Sequence, residues 1–191
     1  MILKALYDYY NRCDHLPASG MEEKEIGFVI VISKEGKFVR FEDCRIDNKQ
    51  ARTYLVKKHV GRSSAVAANY LYDNSTYVLG YADTEKAKGD TEQIKKHSDK
   101  ENACFEAFKE KVVSIYKVYP NCNDLAAICK FYQQSKEEIL SCISQDSLWE
   151  DIKKNLSKKY STFSFRIDGD LKIVAEKREL LQLEDSEDEN K

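Results

Sequence analysis

The sequence predicts an α+β fold: an antiparallel, β-rich N-terminal part, a middle helical block and a C-terminal β-hairpin rejoining the first sheet. Three observations predict it. Short runs rich in β-branched and aromatic residues fall before residue 82 and return at STFSFRI, residues 161–167. Between them, apolar residues recur at helical spacing behind Ser-x-x-Glu starts. Turn signals, KEG and DGD, separate the strand-like runs. One α+β domain is expected over residues 1–183: β-rich 1–82, helical 91–159 and a hairpin at 161–177. Residues 184–191 form an acidic tail or a truncation point.

The elements follow in order. Ile2, Leu3, Leu6, Tyr9 and Tyr10 have helical spacing, and HLPASG breaks that helix. GFVIVIS reads as a buried strand. KEG turns it into FVRFE at 38–42, giving a hairpin, and 52–56 is a third strand. Ser63 or Ser64 is an N-cap for a short helix over 65–72, where Val66/Tyr70 and Ala67/Leu71 are four apart. Asp73-Asn74 ends it. Residues 75–81 read as a strand and 83–90 as a polar loop.

Helices then dominate. Ser98 to Glu101 is a capping-box pattern, and Phe105, Phe108, Val112, Ile115, Tyr116 and Tyr119 form one apolar stripe ending at Pro120. A second helix fits 123–134. A third starts at the Ser135–Glu138 box and a fourth at Ser147–Glu150. Residues 161–167 alternate as a strand, Asp168-Gly169-Asp170 turns the chain, and 171–176 is the return strand.

Composition narrows the function classes. With 42% apolar and 34% charged residues, the 191-residue chain is globular and not a disordered tail. No apolar run reaches the roughly 18–20 residues of a membrane span. Lys4, Asp8 and Arg12 interrupt the N-terminal apolar residues, so no signal peptide is read there. Six cysteines occur without a CxxC pair, as expected of reduced thiols in a cytoplasmic protein. The three histidines make no ligand motif, and nothing calls for a cofactor or metal.

Net charge is −2, but the tail EDSEDENK carries five acids and one lysine, leaving about +2 on the rest. Arg45, Lys49, Arg52, Lys57, Lys58 and Arg62 stand against Asp47 alone. That stripe suits a polyanion partner, and equally a solvated basic loop.

No phosphate-loop, dinucleotide, zinc-protease or nucleophile-elbow motif is present. Asp168 and Asp170 flank a glycine, a pair that either ligates Mg²⁺ or makes a hairpin turn. Asp73 has no nominated carboxylate partner. The stronger signal is VGRSSAVAANYLYDNSTYVLG. If Ser63 and Ser64 open a helix, their N–H groups lie at its positive end, just after Lys57, Lys58 and Arg62. That is a local recipe for holding phosphate oxygens; a serine capping its own helix explains it as well. Asn69 and Asn74 carry the donor and acceptor a base edge needs, though Asn74 also suits a left-handed turn. Tyr70, Tyr72 and Tyr77 suit stacking on bases or burial in a core.

Four stretches carry a resemblance: MILKALYDYYNR, FVIVISKEGKFVRFED, RTYLVKKHVGRSSAVAANYLYDNSTYVLGY and STFSFRIDGD. In this order they resemble the N-terminal part of the large subunit of type I-C CRISPR effector (Cascade) complexes. The combination RSS, AAN, DN and YVLG makes the match specific, whereas residues 91–159 match only in kind. The family's large subunit is longer, with a further helical part. The resemblance implies a non-catalytic, RNA-guided antiviral role. The subunit would sit near the crRNA handle beside handle-binding and backbone subunits, find the protospacer-adjacent motif in duplex DNA and help open it. A separate helicase-nuclease, recruited after the R-loop forms, would cut.

Under that resemblance Lys57, Lys58 and Arg62 hold phosphates, Ser63 and Ser64 add phosphate contacts, and Asn69 or Asn74 reads a base edge, with Tyr77 close by. A second reading makes the domain chiefly a docking module of the same complex, supported by its 12 tyrosines and modest net charge. A third, a nuclease using Asp73, Asp168 or Asp170, requires metal-dependent cleavage.

Overall fold

The computed structural model describes residues 20–62, 65–82 and 91–181, from backbone alone at 91–93. The expected N-terminal helix, the 83–90 loop and the acidic tail lie outside the described residues.

The centre of the fold is β2, Phe28–Ile32, five consecutive apolar residues buried throughout. A strand covered on both faces has no need of alternation, and its apolar run follows from that. β3, Phe38–Asp43, pairs with it antiparallel, with Ile30 opposite Phe41. The turn between them closes through Gly36 N–H donating to the Ser33 carbonyl at 2.9 Å. Gly36 has φ +78°, and a Cβ there would sit 2.6 Å from the Lys130 Cβ and the Phe131 nitrogen. Only glycine serves both demands.

The expected third strand is present as β4, Thr53–Lys57, in a different place. It pairs antiparallel with β1, Met21–Glu25, in a separate two-stranded ribbon. β1 reads MEEKE, without the apolar alternation that marks a half-buried strand, so pattern reading passes over it.

The main sheet has the order β3-β2-β6-β5, with β5 at Tyr72–Asn74 and β6 at Thr162–Ile167. As expected, a C-terminal strand rejoins the sheet. It runs parallel to β2 and antiparallel to β5. The return strand at 171–176 is a correction. The DGD turn forms, with Gly169 at φ +90°, but Leu171 is 94% exposed and Val174–Glu176 is a 3-10 turn. Both edges of β6 are already taken by β2 and β5, so no ladder remains for a returning chain.

The segment 65–81 is a second correction. The helix expected over 65–72 does not form, Tyr72–Asn74 is the strand β5, and the strand expected over 75–81 is replaced by a short helix α1, Ser75–Val78. Side-chain acceptors cause this. Asp73 takes the N–H groups of Asn69 and Asn74, both at 2.9 Å. Asn74 caps α1 through Thr76 N–H at 3.0 Å and Tyr77 N–H at 3.4 Å. Such local bonds divert the backbone from a helical ladder. Leu71, at φ +61°, then turns the chain into β5.

In the helical block, α2 spans Thr91–Val118 and buries Phe105, Phe108, Val112 and Ile115 along the anticipated stripe. Ser98 falls well inside it, where the backbone N–H groups bond along the helix, so the Ser98–Glu101 box starts nothing. α3 is Asn123–Phe131 and α4 is Lys136–Ile143. The Ser135 box is real: Glu138 N–H donates to Ser135 Oγ at 3.2 Å and Ser135 N–H to Glu138 Oε2 at 2.7 Å. α5, Trp149–Asn155, has Leu148 as N-cap and no Ser147 box. Asp146 serves there, accepting from Leu148 N–H at 2.8 Å and Phe41 N–H at 2.9 Å, which ties the helix start to β3. α6 is Arg178–Leu181. Phe108, Phe131 and Tyr132 pack around Phe165 of β6, and the Tyr132 hydroxyl donates to the Val78 carbonyl at 2.8 Å. α1 is thereby anchored to the core.

Candidate nucleic-acid interface

Between β4 and α1 the described chain is exposed at 58–62 and 65–66 and buried from Ala68 to Asp73, and one buried carboxylate organises it. Asp73 is 2% exposed and sits in β5. One oxygen accepts from the Arg62 guanidinium and from Asn69 N–H; the other accepts from Asn74 N–H. Burial pushes its carboxyl above the ordinary value, against the pull of Arg62 and the two N–H groups. Arg62 is held further by its Nε–H to the Ala67 carbonyl at 2.6 Å and by the Tyr77 ring, 4.0 Å from its guanidinium carbon. That is close cation–π range.

These contacts shape a cleft of about 370 Å³. Its polar lining is Arg62, Asn74, Thr76 and Tyr77 from the loop and α1, with Lys100 and Cys104 from α2; Ala65 and Val66 complete it. Three of the residues singled out in the sequence, Arg62, Asn74 and Tyr77, therefore meet at one place. Tyr77 is buried, and burial with a bond to the Cys104 thiol raises its hydroxyl's pKa.

The other candidates are distributed differently. Lys58 is exposed. Lys57 is 5% exposed with its ammonium 4.5 Å from the Tyr70 ring centre. Asn69 is also buried, and its Oδ1 accepts from Val60 N–H at 2.9 Å. That bond closes the loop. Ser63 and Ser64 lie outside the described residues. The helix they were expected to cap does not form over 65–71, which removes the helix-end argument for phosphate there. Elsewhere in the basic stripe, Arg45 is bound by Asp43 and Asp151, and its guanidinium carbon lies 5.2 Å from the Phe28 ring centre.

Sequence reading misses Asp73 as the organiser and Lys100 as a cleft cation. The DN pair signals local hydrogen bonding, which on pattern alone resembles a helix end. Nothing local marks Lys100, because only the packing of α1 on α2 brings it to Asn74.

The carboxylates considered for metal chemistry are engaged with cations. Asp168 pairs with Arg40 at 2.9 Å and Asp170 with Lys177 at 2.6 Å, beside Asp124. Among the described residues no three His, Cys, Asp or Glu side chains converge on one point. No described helix is long and apolar enough to cross a membrane.

The family model described as CRISPR-associated protein (Cas_Csd1) matches residues 6–191. No curated protein matches the chain. The match covers the ribbon, the sheet, the cleft and the helical block alike, so the chain belongs to the CRISPR-associated Csd1 family, the large-subunit family of type I-C Cascade.

Proposed function

We propose that this chain is the non-catalytic DNA-binding subunit of an RNA-guided type I-C surveillance complex. It recognises the protospacer-adjacent motif in duplex DNA and helps to start the R-loop. The observation that carries this is the cleft, where an exposed amide, Asn74, stands beside Lys100 and a clamped Arg62. Phosphate contacts set register and base contacts specify sequence. Lys58 and Lys100, both exposed, meet phosphates. Asn74 reads the base edge. Tyr77 holds Arg62 in place, so its ring is not the stacking platform that its position in the sequence suggests.

The partners under this reading are duplex target DNA, the crRNA-bearing complex with its handle-binding and backbone subunits, and a helicase-nuclease that arrives after the R-loop forms. The test is duplex binding by the assembled effector complex, with and without the correct motif, at two salt concentrations. Lys58→Ala and Lys100→Ala are expected to weaken binding to every sequence and to lower the salt slope by about 0.9 for each phosphate no longer neutralised. Asn74→Ser keeps the helix cap and is expected to lower discrimination alone. If the lysine variants impair assembly and leave DNA binding by the assembled complex intact, the docking role replaces this reading.

A further inference from the structure

Resting on that reading, we propose that Asn74 acts as a hydrogen-bond donor only. The cleft then accepts a base-pair edge that offers acceptors and rejects one that presents an amino group.

The backbone fixes the amide's orientation. Asn74 is extended, at φ −73° and ψ 170°, and its Oδ1 receives two backbone donors, Thr76 N–H at 3.0 Å and Tyr77 N–H at 3.4 Å. Turning the amide over would set its NH2 against those two N–H groups, so the oxygen must face α1. The Nδ2 group has no partner among the described residues, and Asn74 is exposed. What the side chain presents to a ligand is therefore two N–H donors and no acceptor.

The surroundings point the same way. Arg62 and Lys100 are donors by nature. Asp73, the carboxylate of this loop, has both oxygens occupied by Arg62 and the Asn69 and Asn74 N–H groups. Among the described side chains lining the cleft, Thr76 and Tyr77 carry neutral hydroxyls, which donate as readily as they accept.

This removes the usual way an asparagine reads adenine, which uses the amide oxygen and nitrogen together in the major groove. A donor-only amide suits two acceptors side by side. In the minor groove an A·T or T·A pair shows only adenine N3 and thymine O2, whereas a G·C pair adds the guanine amino group. In the major groove, guanine O6 and N7 are two acceptors. The recognised chemistry, an acceptor edge, is the same in both.

The experiment uses the assembled effector complex and measures the ratio of duplex affinities with and without the motif. Asn74→Asp keeps the capping oxygen and the side-chain shape but exchanges the donor for an acceptor. It is expected to lower the ratio at least about fivefold, with the melting temperature of the chain unchanged. Its added charge acts on every duplex and cancels in the ratio. With wild type, purines in the motif are replaced singly by 3-deaza or 7-deaza analogues, which remove the minor- or the major-groove acceptor. One of the two series is expected to weaken binding by a similar factor, and it names the groove. An Asn74→Asp variant that discriminates like wild type, or no effect from either series, overturns the donor assignment. An Asn74→Ser variant that discriminates like wild type removes Asn74 as the reader, and the proposed site falls with it.

Discussion

If Asp73 builds the cleft, replacing it with alanine has a calculable consequence. The carboxylate is 2% exposed and accepts from three donors. Its removal strands the buried Asn69 N–H, at about 1–3 kcal/mol. The Asn74 N–H belongs to an exposed residue that water reaches, so its loss counts at the low end, about 1 kcal/mol. Losing one partner of a buried ion pair costs about 3–5 kcal/mol when the other charge stays buried. Arg62 keeps 26% of its side chain exposed and turns to water, so about 1 kcal/mol is the fitting share here. Burial already disfavours the Asp73 charge, which returns a little on its removal. The net expectation is a loss of about 3 kcal/mol. In a chain of this size that lowers the melting temperature by roughly 6–12 °C. Thermal melting and urea titration of Asp73→Ala read this directly, with the urea slope unchanged if the native state stays compact. A loss below about 1 kcal/mol refutes the reasoning and makes the loop's shape a product of its flanking strands. Asp73→Asn keeps one acceptor oxygen and is expected to fall between wild type and alanine.

Three further outcomes follow from other contacts. Burial alone would raise the Glu22 carboxyl, but bonds from His59 and Tyr72 outweigh it and hold it below its ordinary value of 4.5. Stability from Glu22 is therefore fully present above that value and lost as pH falls through the lower folded one; urea midpoints across pH 3–6, about the range concerned, should drop more in wild type than in Glu22→Gln. Leu71→Gly relieves a left-handed backbone, about 1–2 kcal/mol, but empties a side-chain site that is 1% exposed, about 2–5 kcal/mol. It should therefore melt lower, and a higher melting temperature would show that strain outweighs packing. Gly36→Ala sets a Cβ 2.6 Å from the Lys130 Cβ in a left-handed turn, so a loss of at least about 2 kcal/mol is expected by urea titration; wild-type stability would mean that the β2–β3 turn does not bear on α3.

Local pattern is legible wherever one physical requirement acts alone. The β2–β3 hairpin, the α2 stripe and the Ser135 cap each depend on burial or on a bond a few residues away. It fails where two local preferences compete. Residues 65–72 hold helical spacing, yet Asp73 takes the Asn69 N–H, and Asn74 starts α1 only at Thr76 and Tyr77, so an irregular loop precedes β5. Of the candidate site, Arg62, Asn74 and Tyr77 are legible as chemistry in the right stretch. Lys57 and Asn69 are legible as chemistry too, but their burial is not.

The class of the fold, the order of most strands and helices, and the family are written in the chain, because each resides in periodicity and in short, distinctive runs of residues. Tertiary structure alone decided which strands share a sheet, which cations stay in water and which amide atoms remain uncommitted. Those outcomes depend on neighbours distant along the chain. β6 leaves no free edge for a return strand, and the packing of α1 against α2 brings Lys100 to Asn74.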